Sequence, residues 1–268
     1  MTPSSAPNGP VRAAVIEQAL DAVRSRAPDG VEVVALGDGI DLETIDFLVP
    51  TPEPSGVLER LPGLSRLAVV QVLSAGTDWI ERLVPPQATL CSARGARDGP
   101  VAEWVVGALL GATTQLLECA HLQTWTDRTL TDLASWRVLI VGMGSIGRRV
   151  AQHLSAFGTE VIGVASRARD DLHGIDELDT LLPGADAVVV LTPLSDATRG
   201  LIGVRELAAM RDGALLVNAG RGPVVDTDAL LAEVSTGRLQ TVLDVTDPEP
   251  LPDGHPLWSA PGVLSITP

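Results

Sequence analysis

Short apolar runs alternate with polar stretches along the first part of the chain. Runs of about four to eight apolar residues between turn-forming residues predict buried β-strands, whereas apolar residues spaced three or four positions apart predict helices. Strands separated by helices indicate a small α/β unit with a parallel sheet. The predicted strands are Val11 to Ile16, Val31 to Leu36, Ile45 to Val49, Ala68 to Leu73 and Ala88 to Cys91, and the predicted helices are Gln18 to Arg26 and Gly56 to Leu61.

The rest of the chain opens on a longer apolar segment, Val101 to about Leu122, which predicts a buried helix. Its most apolar stretch, Val101 to Leu117, is interrupted by Glu103, Thr113, Thr114 and Gln115, and it is too short and too polar for a bilayer that needs about 20 apolar residues. Strands and helices then alternate in a pattern that predicts a doubly wound parallel sheet. We therefore expect an α/β protein of two domains, residues 1–97 and residues 98–268. The strands predicted in the second domain are Arg137 to Val141, Val161 to Ala165, Ala187 to Leu191, Leu215 to Val217, Thr241 to Leu243 and Val263 to Ile266.

The composition excludes several classes of function. The 34 acidic and 19 basic residues give a net charge of −15, which argues against nucleic acid or an anionic membrane as a partner. Every basic residue is an arginine and tyrosine is absent, so Walker lysines, Schiff-base lysines and Tyr-Lys catalytic pairs are excluded. Cys91 and Cys119 are too few for a disulfide framework or a four-cysteine zinc site. We expect a reduced, cytoplasmic protein with no metal centre.

A glycine-rich turn follows the predicted strand that ends at Val141. Gly142, Gly144 and Gly147 have the GxGxxG spacing, and a helical segment from Arg148 to Phe157 follows them. A strand, a glycine turn and a helix in this order present backbone N–H groups and a positive helix end to a pyrophosphate. The motif therefore predicts dinucleotide binding. The alternative interpretation is a turn that only packs a helix against a sheet.

The next strand carries the signal for the choice of cofactor. A residue that binds the ribose 2′-hydroxyl of NAD is expected about 20 positions after the glycine turn. The strand that ends at Ala165 has no acid at its tip and is followed by Ser166, Arg167 and Arg169. A hydroxyl and two guanidinium groups favour a 2′-phosphate, so we expect NADP, with NAD as the alternative. In the alternative interpretation both arginines only face solvent.

Two polar segments follow later strands, at the sheet edge where open α/β folds bind ligands. Arg221 lies between glycines, which let the backbone approach a ligand, and its guanidinium matches a carboxylate or a keto oxygen. Glu249 lies between Pro248 and Pro250, and its carboxylate would orient a catalytic imidazole and raise its basicity. Asp244 ends an apolar strand and is a candidate nicotinamide contact. The alternatives are a surface arginine, an exposed glutamate and a satisfied buried acid.

Together these motifs resemble the D-isomer-specific 2-hydroxyacid dehydrogenase family, which includes glyoxylate/hydroxypyruvate reductases, D-lactate dehydrogenases and phosphoglycerate dehydrogenases. The resemblance implies two Rossmann-like or flavodoxin-like domains with doubly wound parallel sheets. It covers nearly the whole chain from about Val70. Besides the glycine turn, it is carried by Leu73-Ser-Ala-Gly76-Thr-Asp78, Val101-Ala-Glu103, Leu191-Thr-Pro193, Thr198-Arg-Gly-Leu-Ile202, Asn218-Ala-Gly-Arg221-Gly, Leu243-Asp-Val245 and Glu249-Pro250.

The same resemblance implies roles for individual residues. The loop of Ser74, Ala75 and Gly76 would offer backbone N–H groups to the substrate carboxylate. Arg221 would orient that carboxylate and the carbonyl group, and Glu249 would pair with a catalytic histidine. The residues implied to contact the cofactor are Ser145 and Ile146 at the pyrophosphate, and Thr192, Pro193, Ala219, Gly220 and Asp244 along its adenosine and nicotinamide ends.

The general acid of the family is a histidine that directly follows the Thr-Pro closing the last strand, and this sequence ends at Thr267-Pro268. The last helix of the family is absent for the same reason. We expect the reading frame to continue with this histidine. The alternative is a non-catalytic nucleotide-sensing protein on the same fold. The histidines present are interpreted as solvated or structural, and they are His121, His153, His173 and His255.

The expected activity is the transfer of a hydride between NAD(P)H and a small 2-keto acid of the glyoxylate or hydroxypyruvate type. A phosphoglycerate dehydrogenase would need basic side chains near Ser74, and the stretch Val49 to Pro54 supplies an acid and no arginine. The helix from Val101 and the segment Thr124 to Trp136 would expose a large apolar patch that includes Trp125. Patches of this kind mark interfaces, and the family resemblance implies a homodimer through this region.

Overall fold

The computed structural model describes residues 9–37, 39–52, 56–120, 122–125, 127 and 130–267. The chain divides into two compact units, Met1–Arg97 and Asp98–Pro268. Glu53, His121 and Pro268 lie outside the described residues, as do parts of the segment from Thr124 to Trp136. Within the described residues, no helix is long and apolar enough to cross a bilayer.

The first unit is built on a five-stranded sheet whose strands all run parallel. The strands are β1 (Val11–Val15), β2 (Val31–Ala35), β3 (Phe47–Leu48), β4 (Val69–Gln71) and β5 (Thr89–Cys91), and the helices are α1 (Leu20–Arg24) and α2 (Gly56–Arg60). The strand order is β2-β1-β3-β4-β5. Because β4 and β5 are parallel neighbours in this order, the loops that follow them leave the same carboxyl edge next to each other.

The core of the first unit is formed by side chains of the predicted apolar runs, which are buried there. Ala14, Leu48 and Val70, from three neighbouring strands, are fully buried in one cluster. Leu61, Leu64 and Ile80, from the connecting segments, complete that cluster with no exposed surface or almost none. The fully buried strand centres explain why these short runs read as continuous apolar stretches rather than as alternating ones.

The second unit contains a seven-stranded sheet in which the paired strands are parallel. The strands are β6 (Arg137–Val141), β7 (Glu160–Ala165), β8 (His173–Gly174), β9 (Ala187–Val190), β10 (Leu215–Asn218), β11 (Gln240–Leu243) and β12 (Val263–Ile266). The helices are α3 (Asp98–Thr113), α4 (Leu116–Cys119), α5 (Ser145–Ser155), α6 (Leu178–Leu181), α7 (Val204–Ala209) and α8 (Thr227–Ser235). The strand order is β12-β11-β10-β9-β6-β7-β8.

Alternate residues of β6 enter two different cores. Leu139 and Val141 join the cluster that includes residues of α7 and α8, whereas Val138 and Ile140 join the cluster that includes residues of α3 and α5. Helices therefore cover both faces of the sheet, as in doubly wound α/β folds. The predicted α/β fold with parallel, doubly wound sheets is confirmed.

Two predicted helices were wrong in detail, and one strand was not predicted. The sheet has an additional edge strand, β8, whose two residues are too short to give a periodic signal. The helix expected from Gln18 to Arg26 is a 3-10 turn, Glu17–Ala19, followed by the short α1. The long helix expected from Val101 to about Leu122 ends at Thr113.

Gln115 explains the early end of the long helix because its backbone has a left-handed φ of 54°. The hydroxyl groups of Thr113 and Thr114 donate to helix carbonyls one turn earlier, which favours a bend. Leu117 then folds back onto Gly111, where a Cβ would lie 2.8 Å from its Cγ. Leu117 still packs against the core. The sequence therefore keeps the apolar spacing of one long helix, although the helix itself ends at Thr113.

Candidate active site

The glycine-rich turn joins β6 to α5, and each glycine has its own physical reason. Gly142 has a φ of 111°, and a Cβ on it would lie 2.7 Å from the carbonyl carbon of Leu191. A Cβ on Gly147 would lie 2.5 Å from the carbonyl oxygen of Gly142, so the helix rests directly on the turn. No atom lies within 4 Å of a Cβ built on Gly144. The first and last glycines therefore serve internal packing, and the middle one leaves open space beside the helix end.

The first turn of α5 presents backbone donors at this opening that have no acceptor among the described residues. Gly144 is the N-cap and has no side chain to accept a hydrogen bond from the turn. The amides of Ser145, Ile146 and Gly147 precede the point at which the helix supplies acceptors. Gly144 and Ser145 are exposed. An anion such as a pyrophosphate would satisfy these donors and is favoured by the positive end of the helix dipole.

The loops that follow β9 and β10 lie against this turn. The amide of Leu191 donates to Val141 over 2.8 Å, and a Cβ on Gly220 would lie 2.8 Å from the carbonyl oxygen of Thr192. Thr192 is 9% exposed, and its buried hydroxyl has no hydrogen-bond partner among the described residues. Buried polar atoms are nearly always paired. The unpaired hydroxyl therefore supports the presence of a polar ligand at this edge and fits a bound dinucleotide.

The tip of β7 is exposed and basic. Ala165 is buried, whereas the side chains from Ser166 to Arg169 are exposed. The guanidinium groups of Arg167 and Arg169 form no hydrogen bond or ion pair with any described residue. The arrangement is compatible with binding a phosphate group, because both cations remain available to a ligand.

The edge strand β8 is anchored beside this tip by Glu177. Its carboxylate accepts hydrogen bonds from the amide of Gly174 over 2.8 Å and contacts Nδ1 of His173 over 2.9 Å. The Gly174 amide and, next, the His173 ring hold the pKa of Glu177 below its usual value. Because Gly174 pairs with Ala165, this small network positions the strand next to the basic tip.

The side chain of Asn218, which is 1% exposed, fixes the backbone of the Arg221 loop by hydrogen bonds. The Asn218 side chain accepts from the amide of Gly220 over 3.1 Å and donates to the carbonyl oxygen of Arg221 over 3.2 Å. The guanidinium of Arg221 donates in turn to the carbonyl oxygen of Gly220 over 3.0 Å. One buried amide side chain thus fixes the backbone on both sides of the arginine.

The segment that carries Glu249 rests on the residue after Arg221. A Cβ on Gly222 would lie only 1.9 Å from the carbonyl oxygen of Thr246. The hydroxyl of Thr227, at the start of α8, donates to the carbonyl oxygen of Asp247 over 2.9 Å. Glu249 itself is exposed. The structure therefore brings the Arg221 and Glu249 loops together at the carboxyl edge of the sheet.

Asp244 begins the same segment at the end of β11. Its amide donates to the carbonyl oxygen of Asn218 over 2.9 Å, which places the residue next to the base of the Arg221 loop. Its side chain is partly buried. Asp244, Ala219 and Gly220 therefore lie at one edge with the turn at Gly142, as the sequence motifs led us to expect.

In the first unit, the Ser74 loop follows β4 and is held by its own side chains. The hydroxyl of Ser74 donates to the carbonyl oxygen of Gly76 over 2.6 Å and accepts from the ring nitrogen of Trp79 over 3.3 Å. The amides of Ala75 and Gly76 donate to no described residue. The serine hydroxyl is thus used within the loop, and the backbone amides remain available for an anion.

The described histidines lie in other settings. His173 contacts Glu177 on the β8 edge. Nδ1 of His255 accepts from the amide of Leu257 at the start of a 3-10 helix. His153 lies in the last turn of α5, at the opposite end of that helix from the glycine turn.

The sequence did not assign a positioning role to the residues that hold the others in place, namely Asn218, Gly222, Thr227 and Thr246. Asparagine directly after an apolar run is a signal for Asn218, because its amide group can bond to nearby backbone. Gly222 was visible as a place for close approach. No local pattern identifies Thr246 as the group that approaches it.

Comparison with known proteins places the second unit in a described domain family. The model of the D-isomer specific 2-hydroxyacid dehydrogenase NAD binding domain matches residues 107–268. Glyoxylate/hydroxypyruvate reductase B of Klebsiella pneumoniae is 33% identical over 227 residues, which cover 79% of this chain and 70% of that protein.

Solved structures give the same likeness over nearly the whole chain. A D-isomer-specific 2-hydroxyacid dehydrogenase of Xanthobacter autotrophicus, solved with NADPH and MES, matches with a TM-score of 0.82 at 28% identity. The matched region covers 97% of this chain and 88% of that protein. An NADPH-dependent glyoxylate/hydroxypyruvate reductase of Sinorhizobium meliloti, solved with NADP and sulfate, gives a TM-score of 0.82 at 28% identity, with coverage of 97% and 88%.

Proposed function

The chain belongs to the D-isomer-specific 2-hydroxyacid dehydrogenase family, and from this premise we propose that it reduces 2-keto acids of the glyoxylate and hydroxypyruvate type with NADPH. At the level of the family, it is an NAD(P)-dependent oxidoreductase of 2-hydroxy acids. The named reductases among its relatives support the substrate type. The exposed, unpaired arginines after β7 support NADP as the preferred cofactor, with NAD as the alternative.

The cofactor contacts follow from the donors at the sheet edge. Ser145 and Ile146, with the glycines of the turn, bind the pyrophosphate through their amides. Ser166, Arg167 and Arg169 bind the 2′-phosphate through a hydroxyl and charged hydrogen bonds. The residues that line the remaining length of the cofactor are Thr192, Pro193, Ala219, Gly220 and Asp244. We assign cofactor binding to residues 98–268 and substrate binding to residues 1–97.

The catalytic groups act on the keto acid while NADPH, when bound, supplies the hydride. Arg221 orients the substrate and polarises the keto oxygen, on which negative charge develops as the hydride arrives. Ser74, Ala75 and Gly76 hold the carboxylate, with the amides of the last two as donors. Glu249 would pair with the catalytic histidine that the family resemblance implies, which protonates the keto oxygen. A nearby carboxylate stabilises the protonated imidazole.

The joined loops of Arg221 and Glu249 carry this proposal. Turnover of glyoxylate and hydroxypyruvate is measured by the loss of NADPH absorbance, with the wild-type protein and Arg221→Gln each expressed from the complete reading frame. Removal of a donor at a developing oxyanion typically lowers kcat by about 10²–10³-fold, so Arg221→Gln should lose that much. Arg205→Gln is the matched control, because Arg205 is exposed on α7 and pairs with Asp179 of α6. NADPH binding without turnover of any 2-keto acid would refute the proposed reaction and favour a nucleotide-sensing protein.

We also propose a homodimer. Trp125 is 96% exposed and Leu116 is 66% exposed, both in the region after α3. Phe157, just after α5, is 42% exposed and lines a groove between α3 and α5. Exposed large apolar side chains such as these three are typical of an interface.

A reducing, cytoplasmic setting is proposed as well, and the unpaired Cys91 and Cys119 support it.

A further inference from the structure

We infer that the substrate class includes 2-keto acids with a second anionic group, and that Arg94 and Arg97 recognise this group. The inference rests on the proposed function, because it assumes that the Ser74 loop holds the 2-keto carboxylate. It extends the substrate class from monoanions to dianions. A distal carboxylate and a phosphate share the required chemistry.

The Ser74 loop and the loop of the two arginines are neighbours. β4 and β5 pair in parallel with Gln71 opposite Cys91, and neighbouring strands lie about 4.8 Å apart. The pairing continues past the strands, since the amide of Ala93 donates to the carbonyl oxygen of Ser74 over 3.0 Å. Arg94 is therefore the residue that directly follows a backbone contact with the proposed carboxylate site.

A tight turn carries both arginines at this edge of the sheet. The amide of Ala96 donates to the carbonyl oxygen of Ala93 over 3.0 Å. Gly95 has a φ of 91°, which favours glycine, and a Cβ there would have open space around it. Arg94 and Arg97 flank this glycine, and both are exposed.

Neither cation is neutralised within the described part of the chain. The side chains of Arg94 and Arg97 form no hydrogen bond or ion pair with any described residue. By contrast, Arg12 and Arg66 of the same unit bind Glu32 and Asp46. In a protein of net charge −15, two unpaired arginines beside open backbone amides form a local site for negative charge.

This arrangement supplies the basic groups that the sequence did not reveal near Ser74. The stretch Val49 to Pro54, which precedes the loop, contains no arginine, whereas Arg94 and Arg97 follow the loop, just after β5. A keto acid whose carboxylate lies on the amides of Ala75 and Gly76 would direct a distal anion toward the adjacent loop. Guanidinium groups bind carboxylate and phosphate with paired hydrogen bonds.

The test compares matched ligands in the presence of NADP⁺, so that no hydride is available and affinity is measured by calorimetry without turnover. 2-Oxoglutarate is compared with 2-oxopentanoate, and 3-phosphohydroxypyruvate with hydroxypyruvate. A hydrogen bond to a charged group is worth about 1.5–3 kcal/mol, hence on the order of 10-fold or more in affinity. At least one dianion should bind about 10-fold more tightly than its monoanionic partner. A preference for 2-oxoglutarate would identify the distal group as a carboxylate, and a preference for 3-phosphohydroxypyruvate would identify it as a phosphate.

Arg94→Gln and Arg97→Gln should each remove most of this preference and change the affinity for the monoanion by less than about two-fold. Arg26→Gln is the control, because Arg26 is exposed near the amino edge of the sheet, shortly before β2, where it donates to the carbonyl oxygen of Ala22. Unchanged affinity for NADP⁺ shows that each variant is folded. Equal binding of dianion and monoanion, or equal losses for both in the variants, would overturn the inference alone. If no 2-keto acid binds while NADP⁺ does, the proposed function fails with it.

Discussion

Gly222 and Thr246 are in such close contact that a Cβ on the glycine would lie 1.9 Å from the threonine carbonyl oxygen. Gly222 follows Arg221 and Thr246 precedes the segment of Glu249, so this contact sets the spacing of the two loops proposed to act on the substrate. The hydroxyl of Thr227 adds a second attachment through the carbonyl oxygen of Asp247. The position of Glu249 relative to Arg221 thus depends on a residue without a side chain.

Replacement of Gly222 by alanine should separate the two loops and destabilise the second unit. Overpacking typically costs about 1–3 kcal/mol, and each kcal/mol lowers the Tm of a domain of this size by about 2–4 °C. Thermal unfolding followed by circular dichroism should show a loss within the resulting range. Gly37→Ala is the control, because a Cβ there would meet no atom within 4 Å. An unchanged Tm together with unchanged kcat/KM would show that the loops adjust without cost.

Arg167→Ala should weaken NADPH binding and leave NADH binding nearly unchanged. A charged hydrogen bond to the 2′-phosphate is worth about 1.5–3 kcal/mol, or on the order of 10- to 150-fold. Because Arg167 is exposed, the lower part of this range is expected. Arg211→Ala provides the comparison, since Arg211 pairs with Asp186 near the amino edge of the sheet. Calorimetric titrations with equal losses for both cofactors would contradict the assignment.

The acid dependence of stability in the first unit should change in Asp46→Asn. Hydrogen bonds from the Arg66 guanidinium and the Arg12 amide hold the pKa of Asp46 below its ordinary value of 3.8, although burial opposes this. A depressed folded-state pKa means that the stabilisation is complete above about pH 4 and is lost as the pH falls through the lower, folded-state pKa. Wild type should therefore exceed Asp46→Asn in Tm at neutral pH.

This difference should shrink as the pH is lowered below about 4. The loss at neutral pH should be about 1 kcal/mol, because the Arg66 side chain is 43% exposed and solvent screens the pair. Glu43→Gln is the control, because the Glu43 carboxylate lies 3.9 Å from the Arg60 guanidinium and both side chains are largely exposed, so solvent screens this pair. A Tm difference that stays constant from neutral to acid pH would show that the titration of Asp46 is not its source.

Light scattering should give twice the subunit mass of 27.9 kDa at micromolar concentration. Trp125→Glu should shift the protein toward the monomer, because a charge would enter the proposed apolar interface, where its desolvation is costly. Val204→Glu is the matched control on another surface, since Val204 is 71% exposed at the start of α7. A folded wild-type protein with a monomer mass would exclude the dimer.

The sequence by itself determined the elements with strong local signals. The apolar runs of β6 and β9 specify strands because their centres are buried on both faces of a sheet. The spacing of Gly142, Gly144 and Gly147 specifies the turn because the turn and the start of α5 are adjacent in the chain. Elements with weak signals were missed or extended wrongly, as with the two-residue β8 and the helix that Gln115 interrupts.

Only the tertiary structure decided which loops meet. A glycine in the sequence indicates that something approaches its backbone, but the partner is set by the order of strands in the sheet. For this reason Leu191 faces Gly142, Thr192 faces Gly220, and Thr246 faces Gly222, although each pair is more than 20 residues apart. The same order places Arg94 beside Ser74 through β4 and β5. Contacts between distant segments depend on sheet topology, and no local periodicity records it.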